Sequence, residues 1–158
     1  MKRWKKFLAL LLALLCLSSV SALAAGERVE AIQVNGKSLD LTDLPREPYW
    51  EGETLMVPLR KIAEALGYTV TWDRELHAAV VDDDYIQRAV LRPGTAQVDF
   101  TGHLKVIDME RTVENVAKTV IHQGYTYVPL EFFREFFNDT ALESGTVTVA
   151  PSMAELCG

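Results

Sequence analysis

The chain has 158 residues, with 16 lysines and arginines against 22 aspartates and glutamates, for a formal charge of −6. An acidic balance of that size argues against nucleic acid, and against adsorption to anionic lipid or wall polymer through charge alone. Two cysteines, Cys16 and Cys157, are too few for a disulfide framework.

Residues 1–25 read as a secretory leader. Lys2, Arg3, Lys5 and Lys6 precede an apolar run from Phe7 to Leu17, and Ser21-Ala22-Leu23-Ala24-Ala25 offers small residues for cleavage. The alternative is a retained anchor, but the run is shorter than the roughly 20 residues that span a bilayer, and Ser18, Ser19 and Ser21 interrupt it. Leu15 stands before Cys16 where a lipoprotein signal wants a small residue. Cleavage leaves residues 26–158 as one domain. The leader takes four of the 16 basic residues and no acidic one, so the mature charge is −10. Cys157 then has no partner within the chain, and the expectation is a monomer held by its core.

Ala31 to Leu41 is a hairpin: Ile32 and Val34 alternate with polar neighbours, and Asn35-Gly36 supplies two residues that tolerate a positive φ. Pro45 and Pro48 force an irregular crossing that carries Tyr49 and Trp50. Thr54–Val57 is a half-buried strand, and Pro58 ends it and suits a helix start. Leu59, Ile62, Ala63 and Leu66 fall at i, i+3, i+4 and i+7, one helical stripe. Gly67 stands at the helix end, where a left-handed residue is needed, and Val70 opens a strand that runs to Trp72-Asp73. Ala78–Val81 is a further strand. Asp82-Asp83-Asp84 lacks the alternating ligands and distal glutamate of a calcium loop and reads as a solvated turn. Ile86–Leu91 and Ala96–Phe100 are strands about an Arg92–Thr95 turn. Thr101-Gly102 turns the chain into a strand at Leu104–Ile107. Met109–Lys118 reads as a loop or a short helical turn.

The central phrase then returns. Gly124-Tyr125-Thr126-Tyr127-Val128-Pro129-Leu130 echoes Gly52 to Leu59, and Glu131–Asn138 follows the register of Arg60–Gly67. Asn138 is expected to take the left-handed position of Gly67. Thr146–Val149 closes the second copy as Ala78–Val81 closes the first. A unit that cannot bury its own apolar face packs on its copy. Across a pseudo-twofold axis Arg60 and Glu131 would approach with opposite charge. The fold class expected is α+β: two pseudo-repeats of hairpin, strand, helix and strand, with an antiparallel sheet curled around short helices.

The ordered pair of phrases, Thr54–Asp73 and Gly124–Leu130, resembles the copper amine oxidase N-terminal-like, or stalk, domain of secreted bacterial proteins, over roughly Ala31 to Val149. Pro58, Arg60, Gly67, Trp72, Pro129 and Glu131 mark the structural motif. Glu131 stands where that family usually has arginine, and no Trp-Asp follows Asn138. The resemblance implies a small α+β unit without catalytic machinery, often attached to cell-wall enzymes. The copper of the family name belongs to a separate catalytic domain, and the Asn-Tyr-Asp/Glu cofactor precursor is missing, since Asn35, Asn115 and Asn138 are followed by Gly, Val and Asp.

His77, His103 and His122 stand apart, with none of the close spacing a transition metal wants. No Gly-x-Ser-x-Gly, catalytic cysteine or phosphate-cradling loop occurs. The expectation is therefore no cofactor and no metal. Phe132, Phe133, Phe136 and Phe137 are expected to fill the core, with a sticky surface pair as the alternative. Tyr49 and Trp50 are the candidate ligand surface, because the flanking prolines hold them in an irregular segment. The reading is a secreted, non-catalytic binding or spacer domain at the cell wall or surface. Its partner would be a wall glycan or another secreted protein. A small wall hydrolase using a carboxylate pair is the alternative.

Overall fold

The computed structural model describes residues 26–103 and 110–152. The leader, the strand expected at 104–107 and Cys157 lie outside the described residues. Within them the chain is mostly β with two short helices, broadly the α+β class expected.

The hairpin at the start is β1 (Ala31–Val34) and β2 (Lys37–Ser38), closed by Asn35 and Gly36 at φ 51° and 74°. β3 (Tyr49–Glu51) and β4 (Thr54–Pro58) follow, then helix α1 (Leu59–Ala65). Leu59, Ile62 and Ala63 of the expected stripe are fully buried, and Gly67 takes φ 90° just beyond the helix end. β5 (Thr69–Asp73), β6 (Ala78–Asp82), β7 (Gln87–Leu91) and β8 (Gln97–Gly102) form a meander. It is completed by β9 (Arg111–Glu114), a strand where a loop or helical turn is expected. The pairing Phe100–Arg111 explains the difference: the guanidinium lies 4.2 Å over the Phe100 ring, so the segment docks by extending along β8.

β10 (Val120–His122) and β11 (Tyr125–Pro129) make a further tight hairpin, and a 3-10 helix (Leu130–Phe136) follows. β12 (Asn138–Glu143) and β13 (Thr146–Pro151) end the described chain. Three sheets result, with strand orders β12-β13-β1-β2, β10-β11-β4-β3 and β5-β6-β7-β8-β9. The expected wholly antiparallel arrangement is corrected in one place. β1 lies parallel to β13, because the first and last described strands close the fold side by side.

β4 and β11 pair so that Val57 faces Val128, the valines of the two Val-Pro-Leu phrases. Both are fully buried, in one core cluster with Leu59, Ile62, Phe100, Phe132, Phe133 and Phe136. Phe132 meets Phe133 and Phe136 edge-on at 5.4 and 5.6 Å, arrangements that add to plain burial. Phe137 departs from the expected core and is 55% exposed.

The second helix corrects the expected cap. Leu130, Phe133 and Phe136 recur at a strict spacing of three, which a helix of three residues per turn sets in one line. The tighter helix ends one residue sooner. Phe137 therefore takes the left-handed conformation (φ 58°, ψ 41°), and Asn138 begins β12 instead. The asparagine still caps, but with its side chain: Nδ2 lies 3.0 Å from the carbonyls of Phe133 and Phe136 and from the Tyr68 hydroxyl. A second polar clamp fixes the meander to this helix. Buried Gln87 donates to Glu135 O at 2.6 Å and accepts from Arg111, which also bonds the Glu135 carboxylate at 3.0 Å.

Candidate functional site

Pro58, Arg60 and Trp72 of the first phrase converge on one groove of about 580 Å³, while Gly67 stands outside it, beside Tyr68 and Phe136. Helix α1 forms its floor with Leu59, Arg60, Lys61 and Glu64; β5 and β6 make one wall, and β10 and β11 the other. Trp72, on β5, is 43% exposed, and Ile121, on β10, is 41% exposed, with Tyr125 also lining the space. Large apolar side chains left half in water beside a concavity are what a partner would cover.

The charges in the groove are matched internally. Arg60 Nη1 lies 3.0 Å from Glu64 Oε1, one turn along the helix, and 2.7 Å from the carbonyl of Val70. Lys61 Nζ lies 2.7 Å from Asp43 Oδ1, and that hydrogen bond holds the ammonium above its ordinary range. Asp43 and Glu64 are the carboxylates closest to a glycosidase pair here. Each is exposed and already engaged by a cation, without the apolar burial that makes a carboxyl a proton donor.

The expected approach of Arg60 to Glu131 does not occur, and the strand register explains why. Antiparallel pairing about Val57 and Val128 sets Pro58 against Tyr127, so the chain beyond Pro58 heads toward Tyr125 while that beyond Pro129 heads away toward Thr54. Arg60 reaches the groove beside Tyr125, whereas Glu131 lies toward the other end, its Oε2 buried without a hydrogen-bond partner.

Tyr49 and Trp50 stand on β3, at the edge of the second sheet. The Tyr49 ring sits between the Arg46 guanidinium, 3.4 Å over its face, and Tyr127, 5.7 Å away. Burial pushes its phenol pKa up. Trp50 packs against the core, and its indole N–H donates to the carbonyl of Glu27 at 2.8 Å. Both rings thus have partners within the fold, and neither lines the groove.

One further cluster is invisible in the linear spacing. The β6, β7, β8 meander brings His103 Nε2 to 2.7 Å from Asp82 Oδ1, with Asp83 adjoining. The solvated turn expected here is corrected at Asp83, which is buried and whose Oδ1 accepts the N–H groups of Tyr85, Ile86 and Gln87. That carboxylate closes the turn into β7.

Ile121 and Lys61 are groove residues that linear reading passed over. Only the Arg60–Glu64 pair carried a sequence signal, its spacing of four.

Residues 33–149 match the family described as Copper amine oxidase N-terminal domain. A relative from Brevibacillus choshinensis, named Protease inhibitor, is 28% identical over 147 residues, 92% of this chain and 41% of that protein. The chain therefore spans well under half of that relative. No solved structure matches.

Proposed function

This chain belongs to the copper amine oxidase N-terminal domain family, and from that premise we propose that it is a secreted, non-catalytic domain that binds another protein at the cell surface or wall. The observation that carries the reading is the groove, where Pro58, Arg60 and Trp72 of the family phrase meet and Trp72 stays half exposed. A purely spacing domain needs no such opening. The name of the Brevibacillus relative, Protease inhibitor, supports a protein as the partner and a secreted protease as the first to try. A repeat origin for the two halves is part of the same proposal, supported by the facing of Val57 and Val128.

The test titrates the protein against purified extracellular serine and metalloproteases, following Trp72 emission and residual protease activity, with peptidoglycan sedimentation in parallel. Saturable binding to a protease, weakened at least about tenfold by Trp72→Ala, is expected; tenfold is about 1.4 kcal/mol, within the range of one aromatic contact. Release of reducing sugars from peptidoglycan, abolished by Asp43→Asn or Glu64→Gln, would make the protein a hydrolase and overturn the proposal.

A further inference from the structure

Resting on that reading, we propose that the groove takes its partner as an extended, uncharged polypeptide segment that adds a strand to the open edge of β5, hydrogen-bonded to the main chain of Val70 and Trp72.

β5 is the outer strand of its sheet and pairs with β6 alone among the described residues. Which of its groups face outward follows from the ladder. Asp83 N–H bonds to Gln87 O at 3.2 Å, so Asp83, and by alternation Val81 and Ala79, turn their main-chain groups toward β7. Asp82, Val80 and Ala78 therefore turn theirs toward β5, where they meet Thr69, Thr71 and Asp73. Val70 and Trp72 are left facing away from the sheet. Arg60 reports the same geometry independently, because its Nη1 reaches the Val70 carbonyl at 2.7 Å from the groove side.

Two outward residues on one strand present N–H and C=O pairs about 6.8 Å apart. An extended polypeptide carries the complementary pairs at that repeat, which is the basis of strand addition. A carbonyl accepts two hydrogen bonds, so Arg60 can keep its place on Val70 while the added strand donates to the second lone pair. Trp72 and Ile121, with Tyr125, offer apolar rests for alternate side chains of the segment.

Charge narrows the occupant. Arg60 with Glu64 and Lys61 with Asp43 cancel within the groove, so no free cation is left to attract an acidic side chain. The whole molecule is acidic and repels one.

The experiment follows amide exchange by NMR on the protein, alone and with a blocked heptapeptide of alternating threonine and valine. Alone, the Trp72 amide exchanges as an exposed group and Thr71 as one protected by the β6 ladder, with Val70, whose side chain is buried, followed beside them. With peptide, Val70 and Trp72 slow by about tenfold or more, and affinity changes little between about 50 and 500 mM salt. The same peptide N-methylated at alternate amides loses binding. Trp72→Ala weakens binding, and Trp72→Pro, which removes an outward N–H without touching the β6 ladder, abolishes it. Failure of the peptide to bind at millimolar concentration, or equal binding by the methylated peptide, overturns strand addition. A protease that binds and quenches Trp72 while neither amide slows also overturns it, and leaves the binding role standing.

Discussion

Replacing Asn138 with glycine separates two accounts of how the second helix ends. If Asn138 held the left-handed position, glycine would be neutral or mildly stabilising there. In the structure it is a buried strand residue, 2% exposed, whose Nδ2 serves the carbonyls of Phe133 and Phe136 and the Tyr68 hydroxyl. Two hydrogen bonds are lost at about 1 kcal/mol each, and buried carbonyls left unpaired cost about 1–3 kcal/mol more. Glycine within a strand adds about 0.5–1 kcal/mol of backbone entropy. The sum is about 3.5–6 kcal/mol, or roughly 10–25 °C in Tm for a domain of this size. Phe137→Gly is the paired control. It relieves about 1–2 kcal/mol of left-handed strain and forfeits about 2 kcal/mol of partial ring burial, so it stays within about 1 kcal/mol of wild type. Urea unfolding of both variants decides the matter. A near-neutral Asn138→Gly beside a strongly destabilised Phe137→Gly would refute the reasoning.

Gln87→Ala removes the polar clamp between β7, β9 and the 3-10 helix, and is expected to cost about 2–4 kcal/mol in urea unfolding; a loss under 1 kcal/mol would mean Arg111 holds Glu135 unaided. Hydrogen bonds from Arg92 and Thr112 hold the Asp99 carboxyl below its usual range. Their contribution is present above the unfolded pKa of about 3.9 and is lost as pH falls through the lower folded value, so Asp99→Asn should flatten the acid limb of a stability–pH curve. Burial raises the Tyr68 and Tyr127 phenols above their usual value. Stability is then full below about pH 10 and falls as pH rises through their folded values, and Tyr68→Phe should delay that alkaline loss. Trp50→Ala is expected to lower Tm while leaving protease binding unchanged; unchanged Tm with lost binding would return the ligand surface to Tyr49 and Trp50.

Local chemistry was the legible part of the fold. Asn35-Gly36, the Leu59–Leu66 stripe, Gly67 and both Val-Pro-Leu phrases rest on interactions among near neighbours, and each sits where periodicity and turn chemistry put it. The parallel closure of β1 on β13 was not legible, because nothing in either strand encodes a partner more than a hundred positions away. The Phe137–Asn138 exchange turns on a finer point. The spacing of three through Leu130, Phe133 and Phe136 was a signal for a tighter helix, but the echo of Arg60–Gly67 favoured residue-by-residue equivalence. The turns Gln123-Gly124 and Ser144-Gly145 also carry two positive φ values, though neither opens with the asparagine or aspartate that marks such turns most strongly.

The site shows why two similar phrases in one sequence need not build two similar sites. With Val57 facing Val128, the two phrases run antiparallel, and their helices leave from opposite ends of the pair. Beyond Pro58 and Pro129 the two helices carry Arg60 and Glu131 toward opposite ends of the pair. What lies at each end is then set by the rest of the chain. At the Arg60 end the β5 edge, Trp72 and the β10–β11 hairpin leave a groove whose charges cancel. Toward the other end stands a glutamate with a buried, unpartnered oxygen where the family usually has arginine. Arginine can reach across a strand edge and bond a carbonyl, as Arg60 does at Val70; a carboxylate accepts only and cannot. The departure at Glu131 therefore removes from that end the contact that joins Arg60 to the open strand, and the binding role proposed above rests on the Arg60 end, where β10 and β11 supply the second wall.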